Sequence, residues 1–252
     1  MDKSKIYGLL GRTLAHSFSR SYFGEKFAKE ALHDHDYLNF ELEDMAQFKE
    51  LIEDKKELLQ GLNVTIPYKE AVIPYLDELD PVAASMAAVN TIKFMPDGKL
   101  KGFNTDVIGF RDSLIDFYSG ALDQANCLIL GTGGASKAVA YVLEALGADY
   151  QFVSRRKSDQ QLTYAELDKT LFQSADLIIN TTPLGTFPNV EECPDLPYEY
   201  LTQSQHLYDL VYNPKLTKFL KFGQEKGCSV KNGLEMLEKQ AEAAWEIWNK
   251  TL

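Results

Sequence analysis

Two charged side chains stand among neutral polar ones in the first part of this chain. They are Lys69, just past Thr65-Ile66-Pro67-Tyr68, and Asp106, which follows Asn104-Thr105 at a predicted helix start. Hydride addition to a carbonyl leaves an alkoxide that must be protonated, so a cationic or acidic group held over that oxygen is what such chemistry requires. A surface lysine and an ordinary first-turn acid are the other readings of these two residues, and the chemistry alone does not choose between them. Around them lie His16-Ser17-Phe18-Ser19, Asn63-Val64-Thr65, Asn90-Thr91 and Asn104-Thr105, each at a predicted strand end. Strand carboxyl ends face the ligand crevice of a parallel sheet. Hydroxyls and amides there can hold a polyhydroxylated or carboxylated small molecule, and Ser17 and Ser19 adjoin a helix N-terminus suited to an anion. Any one of these pairs reads equally as a helix cap or a turn; four together point to a binding site.

A second constellation begins where the strand Cys127-Leu128-Ile129-Leu130 runs into Gly131-Thr132-Gly133-Gly134-Ala135-Ser136 and then a helix. This is the strand-turn-helix setting of a dinucleotide site: Gly131 allows the tight turn, Gly133 lets a pyrophosphate approach, and the helix start offers unpaired N–H groups. The alternative is a glycine-rich turn that binds nothing. About twenty residues on, an NAD site places a carboxylate on the ribose 2′-hydroxyl. Here the strand ends Ser154-Arg155-Arg156-Lys157, three cations and no acid. A guanidinium can hold a 2′-phosphate bidentately, so this pattern argues for NADP over NAD, a solvated basic loop being the other reading.

These groups need a scaffold, and the chain has material for one. With 252 residues, 45% hydrophobic and 25% charged, it is long enough for one or two domains at about 150 residues each. Stretches of strand and helix character alternate, predicting an α/β fold with mostly parallel sheets. The first series runs through strands near Ile6–Leu10, Tyr37–Leu42 and Leu62–Thr65, with helices near Ser19–Leu32 and Met45–Lys56. It closes with a hairpin from Val89–Met95 through Pro96-Asp97-Gly98 to Lys99–Phe103. The second has strands at Asn126–Leu130, Tyr150–Val153, Leu177–Asn180 and Leu207–Leu210, with helices at Ala135–Leu146, Lys215–Lys226 and Glu235–Lys250. We therefore expect an N-terminal α/β substrate lobe of residues 1–105 with 233–252, and a Rossmann-type doubly wound lobe of residues 106–232. A substrate cleft between the two is the default expectation. Trp245 and Trp248 have the spacing of a core-facing helix stripe, a dimer face being the alternative. Asn189–Tyr200, rich in acids and proline, reads as a mobile surface loop.

Composition excludes several classes. The net charge of −11 repels nucleic acid and anionic membranes. No apolar run reaches the roughly 18 residues of a membrane span. Three widely spaced cysteines, Cys127, Cys193 and Cys228, make neither a zinc pattern nor a disulfide framework and suit a reducing compartment. A soluble, cytoplasmic protein acting as a monomer or homodimer is expected, with no metal.

Taken in order, the motifs resemble the shikimate dehydrogenase family. The resemblance rests on Ser17-Phe18-Ser19, Asn63 to Lys69 (Asn-Val-Thr-x-Pro-x-Lys), Val89-Asn90-Thr91 and Gly102 to Asp106. It continues through Gly131 to Ala135, Asn180-Thr181-Thr182-Pro183-Leu184-Gly185, Tyr208 to Pro214, and Gly233 to Ala241. It implies a reversible NADPH-dependent reduction of 3-dehydroshikimate to shikimate. Lys69 and Asp106 would be the catalytic pair, without settling which passes the proton. Ser17 and Ser19 would bind the substrate carboxylate, with Asn63, Thr65, Asn90, Tyr212 and Gln240 on the hydroxyls or carboxylate. Gly131, Thr132, Gly133, Gly134, Ala135, Ser154, Arg155, Arg156, Thr181, Thr182, Pro183 and Gly233 would line the NADP site. The chain departs from the family pattern at Arg12-Thr13 and Arg20, where prolines are usual, and at Ser154-Arg155-Arg156, which replaces Asn-Arg-Thr. A relative acting on quinate or an aminated substrate, a two-lobe dehydrogenase acting on a folate, and a silent nucleotide-binding regulator on the same fold are the rival readings.

Overall fold

The computed structural model describes residues 5–14, 17–158 and 161–250; His16 lies outside the described residues. The chain divides into two compact units, Met1–Thr105 with Ala241–Leu252, and Asp106–Gln240. The first unit contains β1 (Lys5–Gly11), α1 (Phe18–Lys29), β2 (His35–Glu41), α2 (Phe48–Lys55), β3 (Leu59–Val64) and α3 (Tyr68–Ala71). It continues with β4 (Glu78–Leu79), α4 (Pro81–Met86), β5 (Thr91–Phe94) and β6 (Leu100–Phe103). Local chemistry starts these helices where they start. Ser17 caps α1 by accepting the Arg20 N–H at 3.4 Å, and Asp80 caps α4 ahead of Pro81 in its first turn, a position where proline loses no hydrogen bond.

The first sheet has the order β2-β1-β3-β5-β6-β4. β1 pairs in parallel with β2 and β3, whereas β5 runs antiparallel to both β3 and β6. The sheet is mostly parallel, as expected, and β5 is the strand that runs against its neighbours. The turn at Pro96-Asp97-Gly98, closed by the Met95–Lys99 and Gly98–Met95 backbone bonds, reverses the chain after β5 and makes its half of the sheet mixed. β1 shows the period-two alternation that buries both sheet faces. Ile6 and Leu10 pack with Leu62, Val64 and Ile92, while Tyr7 and Leu9 pack with Phe23, Phe27, Tyr37 and Trp248. Trp248 is a core residue, 7% exposed, and its indole N–H donates to the Ile92 carbonyl at 3.0 Å. Trp245 packs against the same aromatic cluster.

One cation is built into this core. Lys93 on β5 is 5% exposed and its Nζ donates to the Ile247 carbonyl at 2.6 Å and to that of Lys250. Burial and the neighbouring Lys250 charge pull its pKa down, but the two carbonyls sit at a helix C-terminus, where a positive charge is favoured. Replacing Lys93 by methionine keeps the apolar stem and leaves both carbonyls unpaired. The expected cost is about 1–3 kcal/mol, read as a fall in Tm of roughly 2–4 °C per kcal/mol.

A helix, α5 (Thr105–Phe117), and then β7 (Asn126–Leu130), α6 (Gly134–Ala145), β8 (Asp149–Ser154), β9 (Gln161–Thr163) and α7 (Lys169–Ser174) lead into the second unit. Following them are β10 (Leu177–Asn180), β11 (His206–Asp209), α8 (Lys218–Glu225), β12 (Ser229–Lys231) and α9 (Leu234–Asn249). Here every strand pair is parallel and the order is β9-β8-β7-β10-β11-β12. That is the doubly wound order whose direction of winding reverses between the first and fourth strands of the series, β7 and β10. Leu130 stands opposite both Asn180 and Val153, and Asn180 opposite Asp209, so the carboxyl ends of four strands line up.

Three elements of this unit were not anticipated: β9 and β12, of three residues each, and α7, capped by Asp168. The return of the chain to the first unit falls at Ala241, inside α9, and not at Gly233. Residues 234–240 pack within the second unit, where Gly109 of α5 abuts Met236 and Gln240, and Lys239 pairs with Asp116 at 2.8 Å. Asn189–Tyr200 is a packed segment and not a loose surface loop. Leu196 is buried, the Tyr198 hydroxyl donates to the Pro194 carbonyl, and its ring lies 4.4 Å from that of Phe222. Among the described residues no helix is long and apolar enough to cross a membrane.

Candidate active site

In the second unit the glycine turn forms as its sequence requires. Gly131 ends β7 with φ +107°, a conformation closed to most L-residues, and a Cβ there would lie 2.9 Å from Thr181 Oγ1. Gly133 is the N-cap of α6 and supplies no side-chain cap, while a Cβ at Gly133 or Gly134 would meet nothing within 4 Å. The first-turn N–H groups of a twelve-residue helix thus border open space, the arrangement that takes a phosphate. Thr132, Gly134 and Ala135 are exposed on this turn. Thr181 is drawn beside it, its amide and hydroxyl both donating to the Leu130 carbonyl, at 3.0 and 2.7 Å.

At the end of β8, Ser154 is buried and its hydroxyl shapes the basic turn by donating to the Arg156 carbonyl at 2.5 Å. Lys157 is engaged by Glu166, which it and the Thr163 amide hold at a pKa of about 2. Arg155 and Arg156 are exposed and form no ion pair among the described residues. The residues therefore fit a phosphorylated dinucleotide: a glycine turn and helix N-terminus at the switch point, and two available guanidinium groups at the end of the neighbouring strand.

The first unit brings Asn63, Asn90, Thr91 and Thr105 into one network. Ser19 is buried near the Tyr37 hydroxyl, which donates to Asn63 Oδ1 at 2.8 Å. Asn63 Nδ2 reaches the Asn90 carbonyl and Thr91 Oγ1 at 3.3 and 3.2 Å. Asn90 Oδ1 then accepts from the Thr105 amide at 2.7 Å and from the Thr105 and Thr91 hydroxyls at 3.1 Å each. With three donors on its Oδ1, the Asn90 side chain is held in one orientation. Asn63 has both amide hydrogens engaged inside the protein. Of the residues at the joints of this network, Thr91 stood in a cluster named from sequence, but Tyr37 did not. Tyr37 hides in an apolar strand pattern, and only the alignment of β1, β2 and β3 places its hydroxyl on Asn63.

Lys69 lies half-buried in α3, its carbonyl fixed by the Val89 N–H at 2.8 Å, next to the Asn90 turn. Thr65, half-buried, donates its N–H to the Leu10 carbonyl at 2.9 Å. The Arg12 guanidinium lies 5.8 Å over the Tyr68 ring, so one departure from the family pattern packs against the segment that carries Lys69. Asp106 is in the first turn of α5, the residue after Thr105. Asp106, Tyr212 and Gln240 belong to the second unit and Lys69 to the first. Pro183 is exposed, Thr182 half-buried, and Gln240 buried at the end of the second unit's share of α9.

These features define a two-unit α/β protein with a dinucleotide-type parallel sheet in one unit and a buried network of neutral polar side chains in the other. Residues 9–92 match the family described as the shikimate dehydrogenase substrate binding domain. A shikimate dehydrogenase (NADP(+)) of Halothermothrix orenii is 38% identical over 98% of this chain and 91% of its own length. Among solved structures, the chorismate mutase/shikimate 5-dehydrogenase fusion protein of Clostridium acetobutylicum is 38% identical with a TM-score of 0.88, covering 98% of this chain and 91% of that one. A shikimate 5-dehydrogenase of Thermus thermophilus in complex with NADP(H) and shikimate is 30% identical with a TM-score of 0.83, covering 98% and 94%. The chain belongs to the shikimate dehydrogenase family.

Proposed function

We propose that this protein catalyses the reversible, NADP-dependent reduction of 3-dehydroshikimate to shikimate. The observation that carries the reading is the near full-length likeness to enzymes named for that reaction, in a chain that retains Lys69, Asp106 and each polar cluster. NADPH, when bound, supplies the hydride. Gly131 to Ala135 and the N-terminus of α6 hold its pyrophosphate, Arg155 with Arg156 the 2′-phosphate, and Thr181, Thr182, Pro183 and Gly233 line the rest of the site. Ser17, whose Oγ accepts the Arg20 amide, keeps its own proton for a substrate carboxylate oxygen, with Ser19 beside it. Asn90 Nδ2 donates to a ring hydroxyl, and Thr65, Tyr212 and Gln240 complete the contacts. Lys69 and Asp106 hold and move the proton at the carbonyl oxygen. The protein works in the cytoplasm as a monomer or homodimer, with a small-molecule substrate and no nucleic-acid partner, a reading supported by its net charge and its free Cys127, Cys193 and Cys228.

The test follows reduced-nicotinamide absorbance on mixing purified protein with shikimate and NADP⁺, with NAD⁺ and quinate in parallel. Rapid reduction with shikimate and NADP⁺ alone is expected. Faster turnover of quinate would reassign the substrate, and silence in every tube from folded protein would overturn the enzymatic reading in favour of a nucleotide-binding regulator.

A further inference from the structure

At the carboxyl end of β11 a carboxylate is shut away from solvent with no cation to pair with. Asp209 is 0% exposed and forms no ion pair among the described residues. A buried charge without a counter-ion is disfavoured unless hydrogen bonds satisfy it. Three do: Asn180 Nδ2 at 2.9 Å and the Val211 N–H at 3.0 Å on Oδ1, and the Thr217 hydroxyl at 2.5 Å on Oδ2. Burial outweighs them and raises its pKa to about 6.

What a carboxylate does here is accept at both oxygens, and so dictate how each neighbour turns. Asn180 must present its NH₂ to Asp209, which aims its carbonyl the other way. That Oδ1 accepts the Thr182 N–H at 3.0 Å and the Thr182 hydroxyl at 2.6 Å. On the second loop, Val211 is pinned to Asp209 while the Leu210 N–H donates to the Asn180 carbonyl at 2.9 Å. Gly233 then closes on this segment: its N–H reaches the Val211 carbonyl, and a Cβ there would lie 2.1 Å from the Leu210 oxygen.

We propose that Asp209 is a positioning residue that holds two loops in register: Thr181–Pro183 through Asn180, and Leu210–Tyr212 directly through Val211. It touches neither ligand in this role. The proposal rests on the reading of the first loop as cofactor-binding and of Tyr212 as substrate-binding, and adds what sets both.

The test uses the full chain, with NADP⁺ affinity measured by titration calorimetry and shikimate KM by steady-state kinetics. Asp209→Leu is expected to weaken NADP⁺ binding and to raise shikimate KM, each by about tenfold or more, as for coupled neighbours in one network. Asp209→Asn, which can keep an oxygen on Asn180 and Val211 and turn its NH₂ to Thr217, is expected to restore both to within about threefold. Asn180→Ala leaves Val211 tied to Asp209, so it should lose NADP⁺ affinity while shikimate KM stays near the wild-type value. Thr217→Val removes the bond to the other carboxylate oxygen, leaves those to Asn180 and Val211 in place, and should leave NADP⁺ affinity unchanged. If Asp209→Leu does not fold, the contrast between Asn180→Ala and Thr217→Val decides. Equal effects of those two, or variants all within twofold of a wild type that binds NADP⁺, would overturn the proposal. A wild type that binds no NADP⁺ would instead overturn the reading on which it rests.

Discussion

Replacing Lys69 by alanine lowers kcat for shikimate oxidation by about 100-fold to 10,000-fold with a smaller change in KM, the pattern of proton transfer lost from the transition state. The local structure makes this a clean substitution. The backbone of residue 69 is held from outside by the Val89 N–H, so truncating the side chain does not release the segment, and Asn90 keeps its three donors from Thr91 and Thr105. Lys69→Arg is the informative companion. It preserves positive charge but presents a group that does not give up its proton in proteins, so it should remain close to the alanine variant in kcat. Activity near wild type in both would make Lys69 a structural residue and return the proton to another owner. The measurement is steady-state kinetics at saturating NADP⁺, with circular dichroism to verify the fold.

The second large effect concerns cofactor choice. Arg155→Ala should raise KM for NADP⁺ by about 10-fold to 100-fold, the loss of charge-assisted hydrogen bonds to a phosphate, while KM for NAD⁺ changes little. The β8–β9 turn should survive the change. Ser154 is tied to the Arg156 backbone and to Gln161, and Lys157 to Glu166, and among the described residues Arg155 carries no hydrogen bond of the turn. An equal rise for both cofactors would remove the 2′-phosphate from Arg155 and leave it a role in the turn alone.

Much of this was legible before any coordinates, for reasons that differ by residue. The glycines at 131 and 133 announce themselves because a strand, a positive-φ turn and a helix start leave few alternatives, and the run Arg155-Arg156-Lys157 is informative because a carboxylate is missing where one is expected. The first sheet was harder. The turn at Pro96-Asp97-Gly98 was visible, but that β5 would lie antiparallel against β3 is a matter of register that no local pattern encodes. β9 and β12 are short edge strands, Gln161-Leu162-Thr163 and Ser229-Val230-Lys231, too brief to show alternation. Within the candidate site, donors at strand ends could be named from sequence, but their division of labour could not. That both Asn63 amide hydrogens are bonded inward depends on the Tyr37 hydroxyl, which takes the Asn63 oxygen from a strand 26 residues earlier. Asn180 and Asp209 belonged to recognised motifs, yet the bond between them exists only once β10 and β11 are paired.

The division of α9 at Ala241 has a consequence for how the molecule is made. The first unit's core takes in Ala241, Ala244 and Trp248, and its buried Lys93 is capped by the carbonyls of Ile247 and Lys250. On a ribosome these residues emerge only after all of Asp106–Gln240 has been synthesised. The unit begun first is therefore the one finished last: its nascent sheet must wait, with Tyr7, Phe23 and Ile92 lacking their final neighbour, while the whole of the second unit is translated and free to fold.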